Sequence, residues 1–173
     1  MSEALIEIVD YTPSWAELFR LEQQLLTRVL EDWITGAPEH IGSTAVPGLA
    51  AKPVIDIMAP VASLAASRPA IDAVARIGYL YHPYKSEVMH WFCKPSPSFR
   101  THHLHLVPPG SQLWRDRLAF RDALRSNQHL RSEYQALKHS LALTHRTDRE
   151  AYTSAKGPFI EQVLRASRTG SAA

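Results

Sequence analysis

Residues 39–61 read EHIGSTAVPGLAAKPVIDIMAPV, and the rest of the chain is organised around them. The pattern is strand, tight turn, strand. Glu39 to Ile41 leads into Gly42-Ser43-Thr44. Pro47-Gly48 then makes a turn, because proline presets φ at one central position and glycine accepts positive φ at the next. Pro53 opens a second strand, where its missing N–H does least harm. That strand, Val54 to Pro60, is apolar except for Asp56. Side chains alternate between faces, so Val54, Asp56 and Met58 share one face, while Ile55, Ile57 and Ala59 share the other. The second face is wholly apolar and is expected to pack on helices. A carboxylate in such a strand is expensive unless a cation, a metal or hydrogen-bond donors answer it. Asp56 therefore marks either a functional site or a buried ion pair, and Lys52 at the strand entrance is one candidate partner.

Upstream, residues 5–9 (LIEIV) alternate and suggest a short edge strand. Thr12-Pro13-Ser14 looks like a helix entry. Leu18, Leu21, Leu25, Val29 and Trp33, with Phe19 and Leu26 beside them, predict one helical stripe over residues 16–34, ended by Gly36-Ala37-Pro38. Downstream, Leu64 to Ile77 is compatible with a helix stopped at Gly78. Tyr79 to Tyr81 is extended. Val88 to Lys94 and Thr101 to Val107 predict two strands joined by a Pro-Ser turn, hence antiparallel. Beyond residue 110 the spacing is helical. Leu113, Leu118, Phe120 and Leu124 mark one helix, and Leu130, Tyr134, Leu137 and Leu141 the next. A last helix is capped by Asp148 and buries Tyr152, Phe159, Ile160, Val163 and Leu164. One domain over residues 1–166 is expected, with 167–173 as a disordered tail. The coarse order is a helix, then a middle of mixed strands and helices, then a helical C-terminal third.

Composition narrows the function. The chain has 173 residues, 45% hydrophobic and 21% charged, in the ordinary globular range. No apolar run approaches the roughly 20 residues of a membrane span. The single cysteine, Cys93, and the lack of a basic-then-apolar leader predict a cytoplasmic protein. Charge is uneven. Residues 1–110 hold 8 Lys/Arg against 11 Asp/Glu, and residues 111–173 hold 11 against 6. A basic C-terminal third can face an anion, although much of it also reads as solvated helix surface. No basic patch interleaved with aromatics appears, so nucleic acid is not the expected partner.

Gly42-Ser43 follows a strand, and its free N–H groups and hydroxyl suit a phosphate oxygen; a structural turn reads the same way. In Arg100-Thr101-His102-His103-Leu104-His105, alternation puts His103 and His105 on one face and His102 with Leu104 on the other. Two histidines at i, i+2 can grip a metal ion, or form a hydrogen-bonded polar face, and His90 on the neighbouring strand is a further candidate. His40 and Cys93 read as structural. Tyr134-x3-Lys138 and Tyr152-x3-Lys156 each place a tyrosine and a lysine on one helix face. Such a face closes over an anion, or packs with the lysine reaching outward to solvent.

Four blocks, VDYTPSWAELF (9–19), HIGSTAVPGLAAKPVIDI (40–57), RTHHLHLV (100–107) and AYTSAKGPFIEQVL (151–164), resemble the GrpB family of bacterial proteins over nearly the whole chain. The resemblance implies an α+β fold of the nucleotidyltransferase type found in the DNA polymerase β superfamily: a mixed β-sheet flanked by helices, with a helical C-terminal third. That superfamily's pattern is Gly-Ser, two acids two residues apart on the next strand, and a third acid on a later strand. Gly42, Ser43 and Asp56 match it, Met58 stands where the second acid would be, and residues 101–107 contain no acid. The implied site has Ser43 and Asp56 as catalytic residues. Gly42, Ser43, Lys52, Arg100 and Lys156 would contact phosphate. Because a lone carboxylate holds two metal ions poorly, a softer single-metal site is read instead, with a divalent metal (Mg, Mn, Zn or Ni) on Asp56, His103 and His105. The implied partner is a nucleotide or phosphorylated small molecule. The missing acid also raises the alternative of a catalytically inactive binding module acting through a partner protein.

Overall fold

The structure is a computed structural model and describes residues 5–170. Five strands form one sheet in the order β1-β2-β5-β4-β3: β1 (Glu39–Ile41), β2 (Ile55–Pro60), β3 (Leu80–His82), β4 (His90–Pro95) and β5 (Arg100–Val107). The β2–β5 pair is parallel and every other pair is antiparallel. The α+β expectation therefore holds. Among the described residues no helix is long and apolar enough to cross a membrane.

One face of the sheet is the main core. Ile55, Ile57 and Ala59 of β2 pack with Leu104 and Leu106 of β5 and Phe92 of β4. Helix α1 (Ser14–Val29) covers them through Trp15 and Leu26, and α2 (Ala70–Ala75) through Ala70 and Val74. The alternation read from Val54 to Pro60 is thus the pleat of β2 seated on helices.

The other face carries Asp56, Met58, His103 and His105, and the C-terminal helices lie over it: α3 (Gln112–Ser126), α4 (Gln128–Thr144), α5 (Arg149–Ala155) and α6 (Gly157–Gly170). Three of these helices start at a side-chain cap. Ser111, Asn127 and Asp148 each accept a hydrogen bond from the backbone N–H three residues on. A short polar side chain at that position answers a donor that the helix cannot.

Several expectations need correction. Residues 5–8 are not a strand; only Val9 pairs, with Ala51. Helix α1 ends at Val29 rather than residue 34, because the chain turns so that Thr35 N–H can reach Pro60 O at the end of β2. Its expected stripe holds in part: Leu26 is buried and Phe19, Val29 and Trp33 pack against the core, but Leu18 and Leu21 are exposed, and Trp15 and Glu22 are buried instead. Glu22 is tolerated because Tyr79 Oη (2.9 Å) and Lys94 Nζ (2.6 Å) both donate to it. Helix α2 is shorter than the Leu64–Ile77 segment, beginning after Pro69, whose ring suits a helix start. The last predicted helix is two. Pro158 lacks the N–H that would continue the ladder, so α5 stops at Ala155 and α6 begins afresh. Residues 167–170 are helical rather than tail, with Ser167 Oγ donating to Val163 O and Arg168 paired to Asp116. Residues 171–173 lie outside the described residues.

Candidate functional site

The parallel register of β2 and β5 sets Asp56 directly beside His103. Both side chains leave the sheet on the same face, and His103 Nδ1 donates to Asp56 Oδ1 at 2.8 Å. His105 Nε2 lies 3.8 Å from the same oxygen. Burial pushes the Asp56 pKa up, but the hydrogen bond from His103, with His105 close by, outweighs it and holds the carboxyl well below its usual range. Burial pushes His105 down to about 4, against the pull of Asp56 and with help from Arg117. The Nε2 atoms of His103 and His105 are buried without a hydrogen-bond partner.

Gly42 holds Asp56 from the neighbouring backbone. Its φ is +72°, and a Cβ there would sit 2.5 Å from Asp56 Oδ2. Glycine is required for that close approach and for the backbone conformation together. Gly42 therefore packs against the carboxylate rather than lining the ligand space. The 3-10 turn Ser43–Ala45 follows. Thr44 Oγ1 donates to Val54 O and contacts His40 Nε2, and the His40 ring stacks on Phe19. His40 is a structural brace, and burial lowers its pKa to about 4.

A cavity of about 500 Å³ opens above the Asp56–His103 pair. Lys52, Arg100 and Lys156, expected as anion contacts, all line it, as does Ser43. Three further cations join them: Arg117 of α3, Lys138 of α4 and Arg149 of α5. Against these six stand two acids, Asp56 and Glu150.

The lysines crowd one another. Lys52 and Lys156 lie 5.2 and 4.4 Å from the centroid of the same Tyr152 ring, and Lys138 lies 5.0 Å from that of Tyr134. Lys138 Nζ donates to Ala50 O. Burial, then the charge of Lys52, brings Lys156 down to about 8; burial, then Lys156, brings Lys138 down to about 7. Lys138 does not reach outward to solvent, as amphipathic packing would have it; it is 2% exposed.

Other flagged residues fall elsewhere. His90 points to the opposite face, with Nε2 against Leu64 O, and does not join the site. His102 faces Glu22 on the core side, and Cys93 is buried. Arg117 and Arg149 stand in no recognisable motif, being two among eleven basic residues of the last third. Their only signal in the sequence is that regional excess of charge.

The residues gathered here bear on the divalent metal. Asp56 is the one acid that β2 and β5 supply, and Met58 is buried with Ile41, Met89 and Val107. A pair of hard cations needs more carboxylates than this, so a two-metal site does not fit. Asp56 and His103 are joined by a hydrogen bond, and His105 Nε2 lies 3.8 Å from the same carboxylate oxygen. Among the described residues no group of three or more His, Cys, Asp or Glu side chains is arranged to hold a metal ion.

The family model described as GrpB protein matches residues 5–166. The chain belongs to the GrpB family. It is 31% identical over 163 residues to the glutamate-rich protein GrpB of Alkalihalophilus pseudofirmus, across 91% of this chain and 92% of that protein. It is 33% identical over 156 residues to the UPF0157 protein YqkA of Bacillus subtilis, across 90% of this chain but 45% of that longer protein. Among solved structures, the crystal structure of the conserved protein GrpB from Enterococcus faecalis matches with a TM-score of 0.86 at 32% identity, covering 96% of this chain and 100% of that one. This GrpB chain thus shares its fold with a solved relative over almost its full length.

Proposed function

We propose that the chain binds a nucleotide or another polyphosphorylated small molecule in this cavity and acts on it as a divergent nucleotidyltransferase. The observation that carries the reading is the convergence of six basic side chains on one cavity whose floor is the Asp56–His103 pair. Crowded ammonium and guanidinium groups repel one another, and a phosphate chain relieves that repulsion through charge-assisted hydrogen bonds. Asp56 holds His103 in the tautomer with a proton on Nδ1 and leaves the Nε2 lone pair to accept a proton from an attacking hydroxyl. The lysines and arginines stabilise charge on the transferring phosphoryl group and on the leaving pyrophosphate. With one carboxylate in the sheet, charge compensation falls on them.

Thermal unfolding with nucleoside triphosphates and pyrophosphate, with and without Mg or Mn, tests the reading. A ligand at a hundredfold its Kd stabilises the folded state by about 2.7 kcal/mol. The double variant Arg117→Ala/Lys156→Ala is expected to lose that stabilisation. If no nucleotide or pyrophosphate stabilises the wild type, the reading fails.

Met58 favours a second reading, a binding module that keeps the cavity without the chemistry and acts through a partner protein. Labelled triphosphates separate the two. Pyrophosphate release that disappears in Asp56→Asn identifies the enzyme, and tight binding with no release identifies the module.

A further inference from the structure

We propose that a second, smaller cavity beside the first is the acceptor site, suited to a small hydroxylated amphiphile bearing one anionic group. The inference rests on the nucleotidyltransferase reading and adds the class of its second substrate. The cavity measures about 190 Å³ and shares Lys52, Val54, Arg100, His103 and Arg149 with the larger one. His103 is therefore a common wall between two spaces. A transfer reaction needs its acceptor hydroxyl within reach of both the base and the donor phosphorus, which adjoining spaces that share the base allow.

The rest of the smaller cavity is largely apolar, with Leu5, Ile6, Pro53 and Phe99 against a single acid, Glu7. Two of these side chains are conspicuously exposed, Leu5 at 61% and Phe99 at 63%. Both sit beside anchored backbone. Ile6 N–H donates to Arg146 O at 2.9 Å. The turn at Phe99 is held by Phe99 N–H to Ser96 Oγ, by Arg100 Nε to Pro97 O, and by Arg149 to the carbonyls of Pro97 and Ser98. A braced turn that presents an aromatic ring to water at the rim of a cavity suits an apolar portion of a ligand, because burying that surface is favourable. The basic groups at the shared wall suit the anionic group.

The acceptor hydroxyl gives its proton to His103 Nε2. Its oxygen bonds to the α-phosphorus of a nucleoside triphosphate in the larger cavity. The bond from that phosphorus to the β-bridging oxygen breaks, and pyrophosphate leaves with the electron pair.

The test uses n-butyl phosphate as the probe and calorimetric titration of the full chain, with and without saturating pyrophosphate. Butyl phosphate is expected to bind in the presence of pyrophosphate, and at least tenfold more tightly than inorganic phosphate. Phe99→Asp and Leu5→Asp, both at exposed positions, are each expected to weaken it at least tenfold and to leave pyrophosphate affinity within about twofold. One-for-one competition between butyl phosphate and pyrophosphate would overturn the inference, as would unchanged butyl phosphate affinity in both variants. If butyl phosphate binds as expected and pyrophosphate binds nowhere, the polyphosphate reading fails while the smaller cavity stands as a ligand site.

Discussion

Gly42 and Gly48 both adopt positive φ, +72° and +79°, yet they answer different demands. A Cβ added at Gly48 would meet nothing within 4 Å, whereas at Gly42 the Asp56 carboxylate already occupies that space. Gly48→Ala is expected to cost about 1 kcal/mol of backbone strain. Gly42→Ala adds a steric conflict and is expected to cost about 2–4 kcal/mol while displacing Asp56 from His103. Urea unfolding of the two variants checks the difference; equal losses would mean that Asp56 yields freely. The sequence marks Gly42 as special but suggests a different neighbour. A Gly-Ser turn looks the same whether a ligand or a side chain from the next strand fills the space beside it.

Among the elements, α1 shows how periodicity can be right in kind and only partly right in phase. Leu18 and Leu21 mark one edge of the predicted stripe, and Phe19 and Leu26, continued by Trp15 and Glu22, the other, and hydrophobicity alone does not choose between them. The sheet selects the second, because Tyr79 and Lys94 arrive from distant segments to satisfy Glu22. Leu26 is fully buried and Leu21 is 50% exposed. Leu26→Ala is expected to destabilise the fold by about 2–5 kcal/mol, and Leu21→Ala by no more than about 0.5 kcal/mol. Denaturant midpoints decide; comparable losses would mean that the sheet does not choose between the two edges. The β4–β5 hairpin and the capped start of α5 are legible in the sequence because a turn or a cap depends on residues only a few positions apart.

At the scale of the whole molecule, the lysines of the cavity come from the approach to β2, from α4 and from the junction of α5 and α6. Burial and mutual repulsion set Lys138 and Lys156 at about 7 and 8, below the ordinary 10.5. The unfolded chain therefore binds more protons than the folded one from about pH 7 to 10.5, and the unliganded protein gains stability as pH rises through that window. A bound polyanion restores the charged forms. Pyrophosphate binding is accordingly expected to take up protons at pH 8 and to weaken as pH rises further. Calorimetry in two buffers of different ionisation enthalpy measures the uptake. Binding without proton uptake would place the anion away from these lysines.

The amino-acid sequence determined what depends on near neighbours: the alternation that sends Asp56, His103 and His105 out of the core face, the turns at Pro47-Gly48 and after Lys94, and the cap at Asp148. The family was also legible there, in four blocks spread along the chain. Only the tertiary structure decided that β2 lies parallel to β5, so that Asp56 meets His103 across a separation of 47 residues. It likewise decided that three lysines and three arginines share one cavity. The reason is physical. Periodicity records which face a residue takes, but the charge state and partner of a buried group depend on what other segments bring to that face.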